Sequence, residues 1–321
     1  MKRVLEGVAY LPTEMLVAPD ALGKAFAGLA GPANFSITFP ALPEDAETEG
    51  FFLEPPYATP RWAEMESLEQ GWGYMGFEKT QDLPRPLESV VVAVTLCIDS
   101  EAPTDVPLAS FAASFGRSFD AWYATTVEWL ELWSGQILTK RFSTADRTTG
   151  KLWPVDSAEI EKSGWGLPLH VSFSSRKCAV NAKAMHSAFE HASNMEHPPA
   201  EWLLYLSAIR SHDPRQAIIE AETAAEVGMA HAIDDRFPAL SEDAREKIIM
   251  KANGAVGLAE LLGAIDGSAV PAVSLGRVKG QLAGPRNLAV HSGAAPSQAE
   301  VSQAREVAKS LLDAYSPLPG P

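Results

Sequence analysis

A chain of 321 residues with 46% hydrophobic and 21% charged side chains has the composition of a globular protein and length enough for two domains. No run of about eighteen apolar residues occurs, and Met1-Lys2-Arg3-Val4-Leu5-Glu6 opens no long apolar stretch. Neither a membrane span nor a signal peptide is therefore expected, and a cytoplasmic location is. The formal charge of −15 argues against broad nucleic-acid binding, which needs a positive field to gather phosphates, and confines any RNA contact to a local cleft in the C-terminal part.

The first half reads as strand-rich. Val4 to Leu11 and Met15 to Ala18 are short apolar runs, and Asn34 to Phe39 alternates with the period of two of a half-buried strand. Five prolines between residues 40 and 61, among many acids, read as a long surface excursion. Ser89 to Ile98 is apolar on both faces, which predicts a central strand. Phe111, Phe115, Phe119, Trp122, Trp129 and Trp133 recur at helical spacing from about 107 to 134, a stripe expected to pack on the sheet. His170 to Ser174 alternates again, as a closing strand would. Cys97 and Cys178 lie in apolar, strand-like surroundings and read as buried thiols rather than as a disulfide framework or a zinc site.

From Pro198 the pattern turns helical. A helix over 201–211 is followed by Asp213-Pro214, an N-cap with proline at the first position, which starts an alanine-rich helix over 214–234. Further helices are expected from Ser241, over 256–265 and, after the capping box Ser297-Gln298-Ala299-Glu300, to Tyr315. The fold class is thus α+β. Residues 1–197 form a mixed α/β domain with a strand-rich core, and 198–316 an all-α bundle. Charge follows the same division: 11 Lys and Arg against 15 Asp and Glu after residue 197 give −4, leaving −11 for the first 197 residues.

The chemistry concentrates in Gly284-Pro285-Arg286-Asn287-Leu288-Ala289-Val290-His291-Ser292-Gly293. Arg286 offers a planar cation that fits phosphate, and His291 a side chain that titrates near neutral pH. Five residues separate them, roughly 140° on a straight helix at about 100° per residue. Gly284-Pro285 is read as a helix start, which places Arg286 in the first turn, where free N–H groups favour an anion. Asn287 and His291, four apart, then share a face. On physical grounds alone an ion-paired Arg and a His at a helix C-terminus explain these residues equally well.

The segment Arg286-Asn287-Leu288-Ala289-Val290-His291 resembles the Arg-polar-xxx-His signature of the HEPN superfamily, all-helical domains that include metal-independent endoribonucleases of toxin and antiphage systems. The order of helices after residue 197 is similar to that family's, whereas a Gly-Pro break before the arginine departs from its continuous helix. The resemblance implies RNA as substrate, no cofactor and no metal, and a homodimer through the C-terminal bundle that pools two Arg286 and two His291 in one cleft. It leaves the N-terminal domain as the receiver of a protein or ligand trigger. Asn287 is expected to orient the imidazole or substrate. Glu222 and Glu226, four apart on the alanine-rich helix, are supporting candidates, and a charge at Glu226 among so many alanines is expected to need Arg286 as partner if buried. A non-catalytic module binding RNA, a nucleotide or a protein, and a purely structural bundle, are the alternatives.

Overall fold

The computed structural model describes residues 3–42, 52–55, 72–78, 85–100, 106–139, 149–154, 163–165, 178–267 and 273–321. They divide into two compact units, Met1–His197 and Pro198–Gly320.

The first unit is built on an antiparallel sheet of strands β1 (Arg3–Val17), β2 (Ala25–Ala30), β3 (Ala33–Thr38), β4 (Gly73–Glu78), β5 (Arg85–Ser100), β6 (Thr149–Pro154) and β7 (Ser163–Trp165). The order is β2-β3-β5-β1-β6-β7, with β4 also paired to β5. The run expected to be central is β5, which pairs with β1, β3 and β4. Its residues Val90 to Leu96 are buried in succession, so both faces are covered and neither needs polar side chains. The two apolar runs near the N-terminus are one strand, β1, whose register against β5 shifts between Tyr10 and Met15. Such an irregularity interrupts period-two patterning and makes one strand look like two.

Helices α1 (Leu108–Ser134) and α2 (Ala182–Ser193) complete this unit. The aromatic stripe is core: the ring of Phe35 on β3 meets Phe119 edge-on at 5.4 Å and Trp122 at 4.8 Å between centroids. Gly28, opposite Phe35 in the β2–β3 register, makes room for that ring, since a Cβ there would lie 2.4 Å from it. Buried Glu131 at the end of α1 accepts from the N–H groups of Leu138 and Thr139, both at 2.7 Å, and so closes the chain behind the helix.

Two expectations need correction. Cys178 is exposed and Cys97 is only partly covered, because burial follows the pleat and local chain path rather than the hydropathy of neighbouring residues. The excursion over 40–61 is not surface chain throughout: Ala41 bridges to Glu54, and Leu53 is buried. Residues 43–51 and 56–61, and the strand expected at His170 to Ser174, lie outside the described residues.

The second unit is helical. Its elements are α3 (Ala200–Arg210), α4 (Pro214–Arg236), α5 (Glu242–Ala252), α6 (Gly254–Asp266), α7 (the consecutive segments Leu275–Arg277, Val278–Ala283, Gly284–Asn287 and Leu288–Ser292) and α8 (Gln298–Tyr315). Helix α4 is the hub, packing on α3, α6, α7 and α8. Its Ala217, Ala221, Ala224, Ala225, Gly228 and Ala232 are buried inside the bundle, where small side chains let neighbours approach. Gly228 shows how closely: a Cβ there would come within 2.6 Å of Leu312 Cδ2 on α8. The start of α8 is the expected capping box, with Ser297 Oγ accepting from Glu300 N and the Glu300 carboxylate accepting from Ser297 N. No single helix among the described residues is long and apolar enough to cross a membrane.

Candidate functional site

The motif does not begin a helix. Helix α7 starts ten residues upstream of Pro285, capped by Ser274 Oγ on Arg277 N, and runs without interruption to Gly293, whose left-handed φ of 68° ends it. A proline inside a regular α-helix removes one hydrogen bond and clashes with the carbonyl four residues back. Here the turn before it is a π-turn over Val278–Ala283, and Gly284 N–H donates to Lys279 O, five residues back. The wider turn is what accommodates Pro285. Gly284 belongs to the same device, because a Cβ there would stand 2.9 Å from the Lys279 carbonyl oxygen. The Gly-Pro pair therefore marks a proline absorbed by a π-turn, not a helix start, and Arg286 is an interior helical residue rather than a first-turn anion site.

A second π-turn over Leu288–Ser292 follows the arginine. Bonds from residue i to i+5 bring positions five apart toward one face, so this turn narrows the roughly 140° that a straight α-helix would set between Arg286 and His291. The same widening takes Asn287 and His291 out of the simple four-residue relation, and Asn287 bonds elsewhere: its Oδ1 accepts from Arg286 Nη1 at 3.3 Å. His291 is exposed and, among the described residues, its side chain carries no hydrogen bond or ion pair.

Across from the motif, Arg286 Nε lies 3.0 Å from Glu222 Oε2 on α4, with the carboxylate side chain 6% exposed and the arginine 34%. This contact is an ion pair rather than an aligned hydrogen bond, since Glu222 Oε2 has no hydrogen-bond partner by geometry. The guanidinium is thus met by Glu222, not by Glu226. Glu226 lies one turn further along α4, where a Cβ on Gly254 of α6 would come within 3.4 Å of its Oε1. Burial first, and the neighbouring charge of Glu226 second, push the Glu222 carboxyl up to about 7 against the opposing pull of Arg286. A buried acid pushed toward neutrality beside an arginine is the kind of perturbed pair that functional sites display.

The histidine of α4 serves a different place. His231 Nδ1 lies 3.3 Å from Glu201 Oε2, and Glu201 also accepts from Ser316 Oγ. Burial raises the Glu201 carboxyl, but these bonds outweigh it and leave the group below its ordinary range. His231 follows Glu222 by nine residues, about 13.5 Å along the helix at 1.5 Å per residue, so it does not share the site of Arg286.

Arg215, which the motif pattern does not touch, borders the site. Its Nη2 lies 3.8 Å from where a Cβ on Gly293 would be. The signal for it in the sequence is only its interval of seven residues, two helical turns, before Glu222. No protein-family model, curated protein or solved structure matches this chain.

Proposed function

We propose that the chain is a metal-independent endoribonuclease of the HEPN type that works as a homodimer. The observation that carries this reading is the pairing on one helix of Arg286, steadied by Glu222 and Asn287, with an unpartnered, solvent-facing His291 one π-turn further on. Transesterification of RNA needs a base for the 2′-hydroxyl proton, an acid for the departing 5′-oxygen and positive charge on the phosphorane oxygens. Arg286 supplies the charge. His291 of one copy takes the proton while its counterpart in the second copy, related by a two-fold axis, donates one, and a 2′,3′-cyclic phosphate and a 5′-hydroxyl result.

The need for two histidines motivates the dimer, and the surface beside the motif supports it. Leu288 is 57% exposed and Val290 44%, large apolar side chains on either side of buried Ala289 and next to His291. A two-fold contact over them would bring the two motifs to one cleft. RNA as substrate fits a cytoplasmic toxin or antiphage effector, with the first unit receiving the trigger. The acidic charge of −15 and the carboxylate already seated on Arg286 favour one other reading, a non-catalytic module that binds a nucleotide or a protein. Incubation of total RNA with the wild-type chain beside His291→Ala separates them: cleavage by the first and not the second supports the nuclease, and intact RNA with both removes it.

A further inference from the structure

Arg215 stands in the first turn of α4, and the seven residues from it to Glu222 are two helical turns, so both lie on one face about 10.5 Å apart at 1.5 Å per residue. Glu222 meets Arg286, and Arg215 lies beside Gly293. Helices α4 and α7 therefore run antiparallel along this seam, with a guanidinium at each end and His291, two residues before Gly293, between them along α7. The other arginines of this unit are engaged: Arg236 with Asp266, Arg245 with Asp234, Arg277 with Glu306, Arg305 with the carbonyls of Ala208 and Ser211, and Arg210 is not free either. The side chain of Arg215 is exposed and, among the described residues, has no hydrogen bond or ion pair; only its backbone N–H is used, by Asp213. In a unit whose net charge is −4, an unneutralised guanidinium at the end of the catalytic seam is the local cation that a polyanion would meet.

We infer that Arg215 is a substrate-binding residue that grips a phosphate flanking the scissile one, so that the site takes a single-stranded RNA segment rather than a lone linkage. This rests on the ribonuclease reading. The two guanidiniums stand at opposite ends of about 10.5 Å of α4, Arg286 at Glu222 and Arg215 beside Gly293, so they address different phosphates of one strand. In-line attack by a 2′-hydroxyl turns the sugar–phosphate backbone at the scissile linkage, which a strand outside a duplex permits. Arg286 contacts the phosphate that reacts, and Arg215 one that does not, so the first contributes to turnover and the second to binding.

The test uses the full chain. In a His291→Ala background, anisotropy of a labelled ten-nucleotide single-stranded RNA is titrated over a range of salt with Arg215, Arg215→Lys and Arg215→Ala. Arg215→Ala is expected to bind about tenfold more weakly, as for loss of one charge-assisted contact, and to lower the slope of log K against log salt by about 0.7, the value for one phosphate on a single strand. Arg215→Lys keeps the slope. In the active background Arg215→Ala raises KM far more than it lowers kcat on the ten-nucleotide RNA, and on a dinucleotide the difference from wild type vanishes. A wild type that cleaves RNA while Arg215→Ala matches it in affinity, slope and KM overturns this inference alone. A wild type that neither binds nor cleaves RNA overturns the inference together with the reading beneath it.

Discussion

Replacing Glu222 with glutamine tests whether the Arg286–Glu222 contact is a stabilising ion pair or a strained charge. The folded chain holds this carboxyl up to about 7, whereas an unfolded chain releases the proton near 4.5. Below about 4.5 the group is neutral in both states and costs nothing. Between 4.5 and 7 the folded state keeps a proton that the unfolded state has lost, so stability falls as pH rises, and above 7 the full cost is present. At about 1.4 kcal/mol per pH unit the interval amounts to about 3 kcal/mol. Glutamine keeps the shape without the charge, and Arg286, 34% exposed, retains water as a partner. Denaturant unfolding of the two chains from pH 5 to pH 8 should therefore show curves that diverge with pH, Glu222→Gln being more stable by up to about 3 kcal/mol at pH 8. Arg286→Ala should do the reverse, removing a cation that holds the Glu222 carboxyl down and extending the decline above pH 7. A Glu222→Gln chain less stable than wild type at pH 8 by about 3–5 kcal/mol, the usual result of breaking a favourable buried pair, would refute this account.

Two further outcomes follow from the packing and the exposed surface. Gly228→Ala gains about 1 kcal/mol of helix propensity but forces a Cβ to 2.6 Å from Leu312 Cδ2, and overpacking of about 1–3 kcal/mol should prevail, so thermal unfolding should shift down; an upward shift would mean that Leu312 yields freely. Leu288→Asp together with Val290→Asp should make the proposed dimer monomeric in sedimentation velocity while each chain still unfolds cooperatively, and a wild type that is monomeric at active concentrations would remove the proposed shared cleft.

What the sequence displayed plainly was whatever depends on a short stretch of chain. The run Ser89 to Ile98 announced a central strand because burial on both faces leaves no room for polar alternation, and Ser297 with Glu300 announced a helix start because the cap is closed within four residues. The α+β division and the helical second half followed from the same local signals. Arg286 and His291 were visible as residue types, but their relation was not. Gly-Pro reads the same at a helix start and after a π-turn, and the difference lies upstream, where Gly284 N–H reaches Lys279 O. The choice of Glu222 over Glu226 as partner was equally hidden, since both lie on one face of α4 and the angle at which α7 crosses that face decides which one meets the arginine. Cys178 misled for a similar reason: apolar neighbours in sequence do not cover a thiol that the chain path turns outward.

The most direct test of the ribonuclease account is the end group left on a single-stranded RNA by the wild-type chain in excess chelator. Transesterification through Arg286 and His291 predicts cleavage that persists in the chelator and leaves a 2′,3′-cyclic phosphate, or the monophosphate it hydrolyses to, opposite a 5′-hydroxyl. Each of Arg286→Ala and His291→Ala should slow the reaction by on the order of a hundredfold or more. Cleavage that stops with chelator, returns with magnesium and leaves a 5′-phosphate would contradict it.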